Sequence, residues 1–251
     1  MILNLTPTFD VTTAITLGIV FVATLIRSTF GFGEALIAVP LLALSMPVRQ
    51  AAPLAVLLSI TVAAVVVAQD WRRIHLRSAG GLLLASALGT PLGLLLLKFA
   101  TAAEIRTVLA VFLLLYSLAS LLLRDRWQLQ QDSWRWMAAC GLFAGILGGA
   151  CGMNGPPLVL YGSLRRWTAQ HFRATLQAYF LPASLMVAFG YHVTGLWTPT
   201  VSHLYLLSLP ALVPALLLGR FLNGKLRGQA FQQALYAALF VVGLLLLRAP
   251  H

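Results

Sequence analysis

The feature that most constrains this chain is a succession of ten apolar runs separated only by short polar connections. Several runs are about 20 residues long, which is the length an α-helix needs to cross a bilayer. No polar block is long enough to fold as a separate soluble domain. The sequence therefore predicts an all-α polytopic integral membrane protein with a single domain over residues 1–251. The runs lie at about 11 to 27, 34 to 46, 50 to 69, 78 to 97, 104 to 123, 136 to 151, 156 to 164, 170 to 190, 199 to 219 and 229 to 247.

The net charge of +11 would suggest nucleic-acid binding in a soluble protein. Here the basic residues lie at the ends of apolar runs, as the positive-inside effect requires, so we expect no nucleic-acid partner. An excess of cations around a cavity favours anionic substrates over cationic ones. Cys140 and Cys151 share one apolar run and lack metal-ligand spacing, which favours packing and predicts neither a metal nor another cofactor.

The runs at 34 to 46 and 156 to 164 are too short to span a bilayer alone, so each is expected to pair with the preceding run as a re-entrant hairpin. The connection "DWRRIHLRS" (70 to 78) is the most basic and is placed in the cytoplasm. Counting from there gives twelve basic residues inside and four outside, with six full crossings and two hairpins entering from opposite sides. We expect a multi-pass protein of a bacterial-type cytoplasmic (inner) membrane, with both termini outside the cytoplasm.

The pattern of elements occurs twice along the chain. A shift of 121 positions lays Gly31 on Gly152 and places Gly33 near Asn154 and Gly155. Each half, at about 11–123 and 136–248, contains a broken-helix hairpin followed by three long apolar runs. The odd number of net crossings in each half predicts two inverted-topology repeats, which is the plan of many secondary transporters.

Both breaks combine glycines with a helix that starts again. Gly31, Gly33, Gly152 and Gly155 let the backbone unwind and approach a ligand, because glycine has no Cβ and tolerates positive φ. The N-terminus of a restarting half-helix carries partial positive charge and suits an oxyanion. Together the two breaks predict an anion site near the membrane midplane.

At these breaks the chain resembles the sulfite exporter TauE/SafE family, also called the 4-toluene sulfonate uptake permease family. The similar segments are "GFGEALIAVP" (31 to 40), "GMNGPPLVL" (152 to 160) and "FRATLQAYFL" (172 to 181). The resemblance covers nearly the whole chain and implies transport of small anions, typically sulfite, sulfonates or related organosulfur acids, and in some members other organic acids. Glu34 and Asn154 stand where the family motifs have glycine, so the preferred substrate could differ.

Two charged residues near the first break each have several interpretations. Glu34 is a candidate proton carrier or a partner for Arg27, and it could equally cap the restarting helix, where acids are favoured. Arg27 could bind the anion through its planar fork, neutralise Glu34, or mark the cytoplasmic end of a crossing helix.

Further residues complete the predicted substrate site. Asn154 offers amide donors to an oxyanion. Arg173 could attract anions or follow the positive-inside pattern, and Gln177 shares its helix face at the i, i+4 spacing. Phe32 and Met153, inside the two glycine motifs, are also predicted to contact the substrate. The ladders at Ala85, Gly89 and Gly93 and at Gly141, Gly145 and Gly149 are interpreted as close helix packing.

The leading hypothesis is a secondary transporter that moves a small sulfur-containing anion by alternating access to a midplane site. Transport of small carboxylates is an alternative. A membrane-embedded enzyme acting on a lipid is less favoured, because no cluster of acids and no nucleophile with an adjacent base occurs. The expected partners are the anion and the lipid bilayer. The sequence leaves the coupling ion, proton or sodium, and the oligomeric state, monomer or homodimer, undecided.

Overall fold

A computed structural model describes residues 11–70, 76–122, 133–165, 169–223 and 229–248. Within these ranges the chain forms ten α-helices, one for each apolar run. The helices are α1 (Val11–Phe30), α2 (Glu34–Leu42), α3 (Val48–Asp70), α4 (Leu76–Phe99), α5 (Ala102–Leu122), α6 (Trp134–Cys151), α7 (Gly155–Leu164), α8 (Ala169–Val193), α9 (Pro199–Asn223) and α10 (Gln229–Arg248).

Five described helices are long and apolar enough to cross a membrane, namely α1, α3, α4, α5 and α9. The short helices α2 and α7 have nine and ten residues. At about 1.5 Å per residue each extends through roughly half of a hydrocarbon core. The all-helical, multi-pass membrane class predicted from the sequence is thus confirmed, while the number of full crossings stays a prediction.

The main helix contacts join the two halves of the chain. The first half contains α1 to α5 and the second half α6 to α10. Helix α4 packs against α6, and α1 packs against α9, so in both contacts the first helix of one half meets the fourth helix of the other. The third helices, α3 and α8, also pack together, as do the fifth helices, α5 and α10. Each of these four contacts has the counterpart that a two-fold repeat requires, or is its own counterpart. The inverted orientation of the halves and the sidedness of the termini stay predictions, and part of the basic connection at 70–78 lies outside the described residues.

Helices α4 and α6 approach backbone to backbone. A Cβ added to Gly93 would overlap the carbonyl oxygen of Ile146, and one added to Gly149 would lie 2.5 Å from Thr90 O. Gly141 would meet Leu82 O at 2.6 Å. The two small-residue ladders predicted from the sequence are therefore the contact between these helices, which we call the glycine seam.

The core sits around α3: 67% of the residues in its most apolar 18-residue stretch are buried, compared with 22% in that of α9. Large apolar side chains on α4, α5 and α9, such as Leu88, Leu115 and Leu217, point outward and are more than 60% exposed. In a membrane protein such side chains face lipid. Cys140 and Cys151 are buried, and their thiols form no disulfide bond within the described structure. The outcome is a buried, largely apolar helix α3 shielded by helices with apolar outer faces.

Candidate functional site

Both helix breaks are built on glycines with a left-handed backbone. Helix α1 ends at Phe30 and α2 begins at Glu34, and between them Gly31 and Gly33 have φ of 85° and 97°. Helix α6 ends at Cys151 and α7 begins at Gly155, with Gly152 at φ 68°. A side chain with a Cβ is strained in this region. The break predicted at each glycine motif is thus present.

A small cavity lies between the two breaks, and the first residues of both short helices line it. It measures about 20 Å³, which is room for about one water molecule. Its walls also include an arginine from α1 and a serine from α3. The lining residues are Arg27, Phe32, Gly33, Glu34, Ala35, Leu36, Ser59, Met153, Asn154, Gly155, Pro156 and Phe180.

The N-terminus of α2 brings unpaired N–H groups to this cavity. The first bond within the helix runs from Ile37 N to Gly33 O at 3.1 Å, so the N–H groups of residues 34–36 have no partner within the helix. On α7, Pro156 and Pro157 carry no N–H, which leaves fewer donors there. Both helix ends still direct the positive end of their dipole toward the cavity.

Among the described residues, Arg27 is the only positively charged side chain that lines the cavity, and it is 3% exposed. Its Nη1 lies 2.5 Å from Glu34 Oε2 and donates to Ser59 Oγ at 2.7 Å. Its Nη2 donates to Gln177 Oε1 at 2.9 Å. The guanidinium carbon lies 5.0 Å from the centre of the Phe180 ring, within the range of a cation–π contact. One arginine therefore joins helices α1, α2, α3 and α8.

The partners of Arg27 are themselves held by hydrogen bonds. Thr24 Oγ1 donates to Glu34 Oε1 at 3.0 Å, which occupies the second oxygen of a carboxylate that is 1% exposed. Gln177 Nε2 donates to Gly31 O at 2.7 Å and so holds the first break. Ser59 and Ser184 join α3 to α8 through their hydroxyl groups at 3.2 Å. The Nε of Arg27 is buried and has no hydrogen-bond partner among the described residues.

These contacts fix the electrostatics of the cavity. Arg27 and Glu34 neutralise each other, and the two helix N-termini add partial positive charge. The balance favours an anion over a cation. Among the described residues, no group of three or more His, Cys, Asp or Glu side chains could hold a metal ion.

The structure brings most of the predicted site residues together. Phe32, Glu34, Met153 and Asn154 line the cavity with Arg27 and the two glycines Gly33 and Gly155. Gly31 and Gly152 form the adjacent turns. Of the interpretations offered for Arg27 and Glu34, the structure shows that they form an ion pair.

Two of the predicted site residues, Arg173 and Gln177, are not among the described residues that line the cavity. Gln177 is predicted to share a face with Arg173 and to donate to an anion, but its amide is bonded to Arg27 and Gly31. Arg173 lies on α8, and its side chain is outside the described part of the structure. Their roles at a substrate stay predictions.

Sequence reasoning missed several members of the network, namely Thr24, Ser59, Phe180 and Ser184. Thr24 precedes Arg27 by three positions and so lies on the same helix face, a spacing that could have identified it. Phe180 follows Gln177 by the same interval. Ser59 and Ser184 are hydroxyl residues in apolar helices, where a polar side chain usually has a hydrogen-bond partner.

The sequence model of a family described as sulfite exporter TauE/SafE matches residues 16–246 of this chain. The chain belongs to that family. The matched range contains both glycine breaks and every residue that lines the cavity. No curated protein and no solved structure shows a significant match to the chain.

Membership of the TauE/SafE family decides the class of activity. The family consists of membrane transporters, so the protein transports a small anion across a lipid bilayer and is not an enzyme. The cavity between the breaks is the place in the described structure where an arginine and two helix N-termini meet.

The second break of this TauE/SafE transporter should tolerate substitution at one glycine and not at the other. In Gly152→Ala the alanine would have to adopt a positive φ. Its Cβ would lie 3.0 Å from Ala52 O and 3.1 Å from Val56 Cγ2. We expect a loss of about 1–2 kcal/mol in unfolding free energy from the backbone strain, together with reduced transport. Thermal melting in detergent and flux in liposomes measure the two effects.

Gly155→Ala is the matched control three residues away. Its Cβ would meet Phe180 Cζ at an ordinary 3.7 Å and would start helix α7 with a better helix former. We expect its melting temperature to stay at or above that of the wild type. Equal losses in both variants would show that left-handed geometry at Gly152 is not what the break requires.

Proposed function

We propose that this protein is a secondary transporter of a small sulfur-containing anion, sulfite or a sulfonate, at the cytoplasmic membrane. In this proposal the cavity between the glycine breaks is the substrate site. The observation that carries it is the meeting of two half-helix N-termini with the buried, multiply bonded guanidinium of Arg27. Charge-assisted hydrogen bonds from such groups are the strongest that a protein offers to an oxyanion.

The geometry also indicates what must move during transport. The cavity has room for about one water molecule, and a sulfur oxyanion with several oxygens is larger. Binding therefore has to widen the space between the breaks. In the proposal the two halves, 11–123 and 136–248, are inverted repeats that open the site alternately to each side of the membrane.

A second substrate class is supported by one contact. A carboxylate, that of Glu34, already occupies Arg27 Nη1 at 2.5 Å, so the site has the geometry to bind a carboxylate. Small carboxylates are therefore the alternative to sulfur oxyanions.

The test is flux in proteoliposomes that are offered sulfite, sulfoacetate, an aromatic sulfonate and a small carboxylate in turn, under imposed proton or sodium gradients. Saturable flux with a sulfur oxyanion supports the proposal. Flux with the carboxylate alone favours the alternative, and no flux with any anion contradicts both.

Asn154→Leu links the flux to this cavity, because it preserves side-chain size and removes the amide. We expect flux to fall about tenfold to a hundredfold, as for the loss of one hydrogen bond to a charged group. Unchanged flux in this variant would place the substrate elsewhere.

A further inference from the structure

The carboxylate of Glu34 occupies the groups that an anionic substrate needs. Its Oε2 lies 2.5 Å from Arg27 Nη1, and the residue stands on the first turn of α2, where the free N–H groups meet the cavity. The other described contacts of Arg27 are to neutral groups, namely Ser59, Gln177 and the ring of Phe180. An entering anion therefore competes with Glu34 for Arg27, the one arginine that lines the cavity in the described part of the chain.

We propose that Glu34 is a built-in counter-ion that the substrate displaces from Arg27, and that the displaced carboxylate takes up a proton. One proton is then carried with each anion. The inference rests on the proposed function and names its coupling ion.

The charge balance of the buried site supports this exchange. Before binding, Arg27 and Glu34 sum to zero. If an anion entered while Glu34 stayed ionised, Arg27 would face two negative charges away from water, and the partial charges of the helix N-termini would offset the excess only in part, which is unfavourable. Addition of one proton to Glu34 gives a neutral acid and leaves Arg27 paired with the anion, so the sum returns to zero.

No other described contact of Glu34 supplies a compensating charge. Helix α2 packs against α1, α3, α7 and α10, and α8 reaches the site through Gln177. On α1 the one ionisable residue is Arg27. Arg49 and Asp70 lie near the two ends of α3, each about 15 Å along the helix from Ser59. The described side-chain contacts of Glu34 are to Thr24 and Arg27, so they include none of the remaining ionisable residues of the neighbouring helices. On α7, α8 and α10 these residues are Tyr161, His171, Arg173, Tyr179, Tyr191, His192, Tyr236 and Arg248.

Thr24 provides a partner for the displaced side chain. Its hydroxyl donates to Glu34 Oε1, the oxygen that does not contact Arg27, at 3.0 Å. A protonated carboxyl group keeps a carbonyl oxygen that can accept this bond. Glu34 can thus leave Arg27 without leaving both of its oxygens unbonded.

The experiment measures binding of benzenesulfonate to the purified protein in lipid nanodiscs between about pH 5 and about pH 8, a range in which the strongly acidic sulfonate stays ionised throughout. Because the protonated form of Glu34 favours the anion, binding should weaken as the pH rises. The expected slope for one linked proton is about tenfold in affinity per pH unit.

Glu34→Gln should bind benzenesulfonate more tightly than the wild type at neutral pH, with an affinity that no longer depends on pH. Glu104→Gln is the matched control, because Glu104 is likewise a first-turn acid bonded to a threonine, Thr101, but at the start of α5. It should retain the pH dependence of the wild type.

Proton uptake by the wild type keeps the test decisive if Glu34→Gln does not fold. Addition of benzenesulfonate in weak buffer should take up about one proton per anion bound, the uptake that linkage requires for a single coupled group. Anion binding without pH dependence and without proton uptake would overturn this inference and leave the proposed function standing. Absence of anion binding and of flux in the wild type would contradict the proposed function itself.

Discussion

Arg27→Met should abolish anion transport and lower the unfolding free energy by about 3–5 kcal/mol, because it leaves the buried carboxylate of Glu34 without its charge partner. The same change removes the donors to Ser59 and Gln177 that hold α1 against α3 and α8. Thermal melting in detergent and flux in liposomes measure the two losses. Arg248→Met, at the exposed end of α10, is the control. It should change the unfolding free energy by no more than about 0.5 kcal/mol, and the flux by no more than the corresponding factor.

The double variant Arg27→Met, Glu34→Met separates the two roles of the arginine. Replacing both members of a buried ion pair by apolar residues is often neutral for stability, so the melting temperature should recover toward that of the wild type. Transport should remain absent, because the donors to the anion are still missing. Transport by a folded double variant would show that Arg27 does not bind the substrate.

The second large effect is expected at the glycine seam between α4 and α6. In Gly93→Ala the added Cβ would overlap the carbonyl oxygen of Ile146 and lie 2.7 Å from Ala150 N. These are backbone atoms of α6 and cannot turn aside as a side chain can, so the helices must separate. We expect a loss of about 3 kcal/mol, the upper end of the usual range for overpacking. Melting followed by tryptophan fluorescence measures it.

Gly80→Ala provides the control on the same helix, because nothing lies within 4 Å of its added Cβ. Since alanine loses less backbone entropy than glycine on folding, this variant should gain about 0.5–1 kcal/mol. If both variants melted alike, the close approach of α4 and α6 would not limit stability.

The order of the helices could be predicted from the sequence, because apolar length and glycine position are local properties. Each of the ten apolar runs forms a helix, and Gly31, Gly33 and Gly152 take the left-handed conformation at the predicted breaks. The ladders on α4 and α6 were also predictable as packing surfaces, although the sequence did not say that they face each other.

Helix ends were less predictable where side-chain partners decide them. The first run is predicted to end at 27, but α1 continues to Phe30 because Glu34 and Gln177 accommodate Arg27 inside the protein. The short run predicted to 46 ends as a helix at Leu42, and Pro47 follows soon after. A proline disfavours the helical conformation in the residue before it, so Pro47 keeps the run from continuing through Met46 into α3 as one helix.

The hydrogen bonds of the site could not be predicted, because they join distant parts of the chain. Arg27 and Gln177 are 150 positions apart, and Ser59 and Ser184 are 125 apart. Gln177 carried a signal in its polarity within an apolar helix, but nothing local indicated that its amide would be shared between an arginine and a backbone carbonyl. Tertiary packing alone sets that choice.

The partners of Arg27 are also made at different times. Glu34 follows Arg27 by seven residues, whereas Gln177 follows it by 150. At usual rates of chain elongation, roughly seven to thirty seconds separate the two during synthesis. In that interval Glu34 is the acidic residue that can accompany the arginine into the bilayer. In the proposed mechanism, the side chain that the substrate displaces from Arg27 is therefore also the first one able to pair with this arginine during synthesis.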